Sequence, residues 1–402
     1  MKKRSVQNDR PTVDKVIHIP LSEDRIKLRT VLVIALIVIA VAAFAFGVNS
    51  LVSTDAGLQE ITVLSGEMNA GEDFTFYYNL GYNGADATDE RREVRSLYTE
   101  AATDALELFS SDIEAEGRSN IWYINRHPNE RVVVDGALYA ALALLEESGT
   151  RYHYLAPLYE QYYALFNSAG DAEAAEFDPR LNPVQGEFFA AAAAFINDPE
   201  SVRLELLGDN TVCLRVSDEY LSFAGDNAVE RYIDLTWMKN AFIADYIADA
   251  LSSAGYTHGA VISDDGFMRC LDDETGTEYS FTFSHRDGTS VSNIATLQFS
   301  GTVSIAYLHD YPLESGNSGG YYVYGDGTVR SAFLDPEDGL DRSCIPELAA
   351  YSFDGGCAAL ALKLAPVFIS DTLSVDALEA LEKDGITVYY TEDGALRSTS
   401  DS

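Results

Sequence analysis

The sequence predicts an α+β fold: one large mixed domain, with a membrane-spanning segment ahead of it. Three observations carry that reading. Hydrophobic residues make up 47% and charged residues 23% of the 402 residues, the composition of a globular chain. Apolar residues recur at helical spacing in some stretches and at strand spacing in others. Residues 31–48 read VLVIALIVIAVAAFAFGV inside an uncharged run from residue 30 to 54.

That run separates two charge regimes. Residues 1–30 hold eight of the 27 basic residues (Lys2, Lys3, Arg4, Arg10, Lys15, Arg25, Lys27, Arg29) and four of the 64 acidic ones. At 1.5 Å per residue, about 20 apolar residues cross a hydrocarbon layer of about 30 Å. The basic excess ahead of the run places residues 1–29 in the cytoplasm as a tail, residues 30–50 as a signal-anchor helix, 51–65 as a linker and the acidic bulk outside. The expectation is a single-pass protein of the cell membrane with its C-terminal domain extracytoplasmic. Ala43-Phe44-Ala45 has the small-x-small form of a cleavage site, so a cleaved signal peptide is the alternative. After residue 30 the chain carries 19 basic and 60 acidic groups, a surface that repels phosphate backbones and argues against nucleic acid as a partner.

Within the outer part, residues 61–64 and 74–80 (FTFYYNL) read as strands and 81–86 as a turn. Val94, Leu97, Tyr98, Ala101, Ala105, Leu108 and Phe109 fall at helical spacing, closed by Gly117. Asp135 caps a second helix that stops at Gly149. Residues 152–166 and 184–196 look helical. Residues 202–207 and 211–216 form a hairpin across Gly208-Asp209-Asn210. Phe242, Ile243, Tyr246, Ile247, Ala250 and Leu251 make one helix face that ends at Gly255. A strand at 257–263, strands from 279 to 324, helices at 356–368 and 374–383 and a strand at 386–390 complete the order.

No strong catalytic motif stands out. GxSxG, GxxxxGK[ST] and GxGxxG are absent. Four scattered cysteines and six scattered histidines lack metal-ligand spacing. The acidic runs Asp264-Asp265 and Asp272-Asp273-Glu274 lack the alternate-oxygen spacing of a calcium loop and read as solvated loops.

Several segments, in order, resemble the ApbE family of flavin transferases. Ser119-Asn-Ile-Trp-Tyr-Ile-Asn125 is similar to the family's S-E-I-x-x-L-N stretch. Ile233-Asp234-Leu235, with Asp245 at the matching distance, resembles L-D-L-G-G-I-A-K-G-Y-A-x-D. Gly255-Tyr-Thr-His-Gly-Ala-Val-Ile-Ser263 resembles the strand that follows, and Ser315-Gly316 the S-G before a tyrosine-rich strand. Leu334-Asp335-Pro336-Glu-Asp-Gly339 is similar to the turn H-I-x-D-P-x-T-G. The resemblance spans residues 66–394. It implies transfer of FMN from FAD to a Ser or Thr hydroxyl of an acceptor protein, with release of AMP. It also implies that Ser119, Asn125, Asp234, Ser315, Gly316, Asp335 and Gly339 line the FAD side. A purely structural role for each is the competing reading, with Ser119 and Asn125 flanking IWYI as a strand with capped ends.

The departures are as informative. The paired glycines of L-D-L-G-G are Thr236 and Trp237, the lysine is Asn240, and G-G-D becomes Asp264-Asp265-Gly266. A Trp where backbone would approach a dinucleotide removes room, and carboxylates there face a diphosphate. The turn's histidine position is Ala332 and its threonine is Asp338. The family's Mg²⁺ motif D-x-x-x-T falls on Ala359 and Lys363 or, shifted by one residue, on Leu360 and Leu364. A hard cation wants oxygen ligands, and neither register supplies a carboxylate. Lys363 could offset part of the diphosphate charge in place of the metal; its rival role is a surface lysine covering apolar neighbours. The expectation is therefore a degenerate site with weak or no transfer. The alternatives are a protein that binds flavin or nucleotide without chemistry, and an interaction module at the cell surface.

Overall fold

The computed structural model describes residues 54–401, apart from 65–70, 72, 83, 272–275, 289, 314–318 and 393. The basic tail and the apolar run expected to span the membrane lie outside the described residues, as do Ser315 and Gly316. Among the described residues no helix is long and apolar enough to cross a membrane.

The strands in chain order are β1 (Gly57–Ile61), β2 (Phe74–Leu80), β3 (Val132–Val133), β4 (Val202–Gly208) and β5 (Thr211–Val216). There follow β6 (Gly259–Ser263), β7 (Phe267–Cys270), β8 (Tyr279–Asp287), β9 (Ser290–Phe299) and β10 (Val303–His309). The last five are β11 (Tyr321–Val323), β12 (Val329–Ser331), β13 (Glu347–Ser352), β14 (Thr387–Glu392) and β15 (Ala395–Ser398). Eight of them form one sheet in the order β1-β2-β6-β7-β10-β13-β14-β15, antiparallel at every junction.

The central strand β10 is buried at every position, because both faces of the sheet are covered. Ala306 and Leu308 turn to a core shared with the helices Ala87–Leu108, Lys239–Ser253 and Cys357–Phe368. Val303, Ile305 and Tyr307 turn the other way, beneath the β8–β9 ribbon, beside Tyr279, Phe283 and Phe299. This is the two-residue alternation of a strand read on both faces. On the helical side, Phe76 of β2 packs against Tyr98 with ring centroids 5.0 Å apart. Both rings are buried, and each contributes about 1.5–3 kcal/mol over leaving it in water.

A helical lobe surrounds the small sheet β3-β5-β4 and shares the main core. Its first helix, Gly136–Ser148, has Asp135 as N-cap, accepting from the Ala137 N–H, and Gly149 as C-cap, as the sequence predicts. The β4–β5 hairpin turns through Asp209 and Asn210, both at positive φ, the form two-residue hairpins favour.

Four expectations need correcting. The strand at 61–64 lies earlier, at Gly57–Ile61, so part of the 51–65 linker belongs to the sheet. IWYI is not a strand but the start of the helix Ile121–Arg126. Asn120 decides this: its side chain accepts from the Tyr123 N–H at 3.0 Å and donates to Glu107 O and Ile113 O, and a satisfied N-cap outweighs aromatic strand preference. The single helix at 152–166 is a short 3₁₀ turn, Tyr152–Tyr154, then Ala156–Phe166 with Pro157 in its first turn. Helices Asp171–Phe177 and Asp218–Asp226 were not anticipated.

Candidate functional site

A cleft of about 790 Å³ opens where the helical lobe meets the sheet, within the range of about 300–1,000 Å³ that small-molecule sites occupy. Its walls come from the end of Ala156–Phe166 (Tyr163, Phe166, Asn167), the entry to Lys239–Ser253 (Thr236, Trp237, Asn240) and the β6–β7 turn (Asp264, Asp265, Phe267). Asp73, the end of β10 (Leu308, His309) and the β11–β12 region (Gly319, Gly320, Tyr321, Ala332, Phe333) complete them.

One wall is aromatic. Trp237 packs on Phe333 at 5.2 Å between centroids and edge-on to Tyr152 at 5.9 Å. The indole therefore forms part of the cleft wall, at the position where the sequence leads one to expect less room. Tyr321 stacks on His309 at 5.4 Å and donates to His309 O at 2.8 Å. Burial pushes the His309 pKa down to about 4, so this histidine brings no positive charge to the cleft at neutral pH.

The opposite edge is acidic. Ser263 accepts from the Phe267 N–H at 2.9 Å and donates to Asp265 Oδ1 at 2.5 Å, which fixes the β6–β7 turn. Asp264 N donates to Asp73 O at 2.9 Å, bringing the third carboxylate alongside. Water reaches Asp265, yet protein surrounds it on most sides of the concave cleft. Incomplete hydration pushes its pKa up to about 7, with Asp73 adding to the rise. The Asn240 side chain faces the carboxylate and opposes the shift. No Lys or Arg lines the cleft among the described residues.

The residues singled out by resemblance sit mostly behind this surface. Asn125 is buried; its Nδ2 donates to Ile233 O at 2.8 Å, and its Oδ1 accepts from the N–H groups of Tyr232 and Ile233 at 2.9 and 3.0 Å. Asp234 follows directly, its Oδ1 accepting from the Leu235 N–H at 2.7 Å and its own N–H donating to His153 O. Burial raises the Asp234 pKa, and Arg231 partly offsets this. Together they aim the backbone into Thr236, which takes a left-handed φ of 50°. A β-branched residue there is strained, and the chain keeps at Thr236 a conformation that the glycine of the resembling motif adopts freely.

Asp335 closes the 335–340 turn by accepting from the Glu337 N–H at 2.8 Å and pairing with Arg342 at 3.2 Å. Gly339 sits at φ 76°, a left-handed conformation that strains an L side chain, and a Cβ on it would also press on Leu158 Cδ1 at 2.8 Å, so glycine is favoured there. Ser119 is half-buried ahead of the Ile121–Arg126 helix. Lys363 is exposed and pairs with Asp384 at 2.7 Å. None of Ser119, Asn125, Asp234, Asp335, Gly339 and Lys363 lines the cleft. Of the residues that do, Thr236, Trp237, Asn240, Asp264, Asp265 and Ala332 are the ones at which the sequence departs from the motifs.

At the N-terminus of Cys357–Phe368, where the metal motif would fall, Asp245 accepts from the Cys357 and Ala358 N–H groups at 2.8 and 2.9 Å. Arg269 lies 3.6 Å away. A Cβ on Gly356 would stand 2.2 Å from Asp245 Oδ2, so glycine is what admits the carboxylate. Burial still raises the Asp245 pKa to about 6, against the lowering by Arg269 and the two amides. Both Asp245 oxygens are thus engaged, and the described residues present no group of three His, Cys, Asp or Glu able to hold a metal ion. The residues present do not fit Mg²⁺. All four cysteines are free thiols.

No protein-family model and no curated protein matches this chain. Solved structures do. The chain is similar to an ApbE protein from Thermotoga maritima at 16% identity, covering 86% of this chain and 98% of that one, with a TM-score of 0.58. It is similar to the flavin transferase ApbE from Vibrio cholerae at 16% identity, over 86% and 97% of the two chains, with a TM-score of 0.56. The chain therefore shares the α+β fold of ApbE flavin transferases over most of its length, as the ordered motifs lead one to expect.

Proposed function

We propose that this chain binds a flavin in the cleft without transferring FMN, on an ApbE-like domain held outside the cell membrane by residues 30–50. The observation that carries the reading is the make-up of the cleft: aromatic walls in a cavity of about 790 Å³, and an acidic edge with no cation among the described residues to meet a diphosphate. Splitting a pyrophosphate builds charge on its oxygens, and catalysis needs a metal or fixed cations to meet it. Neutral His309, the engaged carboxylate of Asp245 and the outward Lys363 supply none. With transfer gone, a flavin-acceptor protein is no longer a required partner.

The test uses the full chain in detergent. Flavin fluorescence is titrated against protein, and AMP release from FAD is followed with and without Mg²⁺. Saturable quenching without AMP release is expected. Mg²⁺-dependent AMP release would overturn the loss of chemistry. Absence of any flavin binding would leave a role as an interaction module. For the topology, the basic tail should be protected from protease in sealed inside-in vesicles, with the intact N-terminal sequence retained; a mature chain beginning near Phe46 would exclude the anchor.

A further inference from the structure

We infer that Arg269 is a built-in cation: its guanidinium fills a pocket of oxygens beside the N-terminus of Cys357–Phe368, where the metal motif would fall, and makes the fold independent of metal. The inference goes beyond the flavin reading and holds whether or not a flavin binds.

The alternation of β7 puts this arginine in an unusual place. Met268 and Cys270 turn to the core beneath the β8–β9 ribbon, so Phe267 and Arg269 turn to the helical face of the sheet. Val261, the partner of Arg269 on β6, is buried and apolar there. The Arg269 side chain is itself only 13% exposed. A charge so placed is costly unless it is paired and hydrogen-bonded.

Four oxygens from three segments meet it. Nη1 donates to Ser304 Oγ at 2.9 Å and to Gly355 O at 2.7 Å. Nε lies 3.6 Å from Asp245 Oδ1, and Nη2 lies 3.8 Å from Asp249 Oδ1. Ser304 Oγ donates in turn to Gly355 O at 2.7 Å, and Asp245 accepts from the first two amides of the helix. One guanidinium thus ties the helix Lys239–Ser253, strand β10 and the turn at Gly355 together. The set suits a planar fork with several donors. A hard divalent cation asks for six or more oxygens, and Asp245 already spends both of its own on amides. Lys363, the residue weighed from the sequence for the metal's place, turns to Asp384 instead. Arg269 escapes a reading of the sequence because it lies outside every matched motif.

Full-length Arg269→Ala, Arg269→Lys and Arg269→Gln proteins in detergent are compared with the parent by thermal unfolding. The parent midpoint should be the same in EDTA and in millimolar Mg²⁺. Arg269→Ala leaves the oxygens without their cation and should lower the midpoint by about 5 °C or more. Millimolar guanidinium or methylguanidinium should restore most of that loss, and Mg²⁺ or K⁺ at matched ionic strength should not. Arg269→Lys, which keeps the charge, should fall between parent and Arg269→Ala. Arg269→Gln, which keeps amide donors without charge, should match Arg269→Ala. A parent midpoint that drops in EDTA would overturn the inference. So would a loss that guanidinium does not recover, recovery by Mg²⁺ alone, or Arg269→Gln as stable as Arg269→Lys. Should Arg269→Ala fail to fold, the Lys and Gln variants and the parent in EDTA decide the matter.

Discussion

Two stretches of backbone a few residues apart have opposite relations to the ApbE resemblance. Residues 232–235, held by Asn125 and Asp234, keep the motif and contribute no side chain to the cleft. Residues 236–240 break the motif at Thr236, Trp237 and Asn240, and all three line the cleft. The same division recurs at the turn, where Asp335 and Gly339 hold the backbone and Ala332 faces the cleft. Here the residues that match the motif hold backbone geometry, while the departures at 236–240, 264–265 and 332 line the cleft. A left-handed Thr236 is the seam between the two.

The comparison breaks if a scaffold residue turns out to be dispensable. Asn125→Ala removes three hydrogen bonds to buried backbone and should cost about 3 kcal/mol or more, read as a lowered urea midpoint with unchanged slope. A loss below about 1 kcal/mol would undo the scaffold assignment.

Gly356→Ala comes next. Its Cβ would enter the Asp245 carboxylate, and crowding of this kind costs about 1–3 kcal/mol. In an Asp245→Ala background most of that cost should vanish, a coupling that a double-mutant cycle measures directly.

The cleft side is sharpened by pH. The folded pKa of Asp265, about 7, lies above its ordinary 3.8. The folded state thus keeps a proton that the unfolded chain has released. This contribution to stability is complete below about pH 3.8 and is lost as pH rises through about 7. Asp245, with a folded pKa of about 6, acts in the same direction, whereas His309, held at about 4, weakens the fold as pH falls below 6.5. Asp265→Asn should therefore gain stability relative to the parent between pH 5 and 8, and denaturation midpoints across that range check it. The groups facing Asp265 are Asp73, Ser263 and Asn240, with Tyr321 across the cleft.

The smallest effect belongs to Lys363→Met. The pair with Asp384 is about half exposed on both sides, so its loss should change stability by less than about 1 kcal/mol. Flavin affinity should stay the same. A drop in affinity would put Lys363 back in the ligand's field and against the comparison.

Much of this was readable without coordinates. Asp135 and Gly149, the Asp209-Asn210 turn and the apolar face of residues 242–251 are local signals, decided by caps, turn chemistry and periodicity within a few residues. IWYI misled because its fate hung on Asn120 reaching back to Glu107 and Ile113, contacts with a neighbouring segment that a propensity cannot see.

By itself, the sequence determined the charge regimes, the apolar run, the mixed fold and the positions at which the ApbE pattern is broken, because each is written in residue type and spacing. Only the tertiary structure decided which of those positions face the cleft. Asp73, Tyr163, His309 and Phe333 come from four distant segments, and no periodicity within one segment reports a meeting among four. Nor could spacing reveal that Asp245 is consumed in capping a helix more than a hundred residues downstream, or that Lys363 turns away to Asp384. A side chain's chemistry is carried by the sequence, but its partners are chosen by how the chain packs, and at this site the partners separate scaffold from cleft.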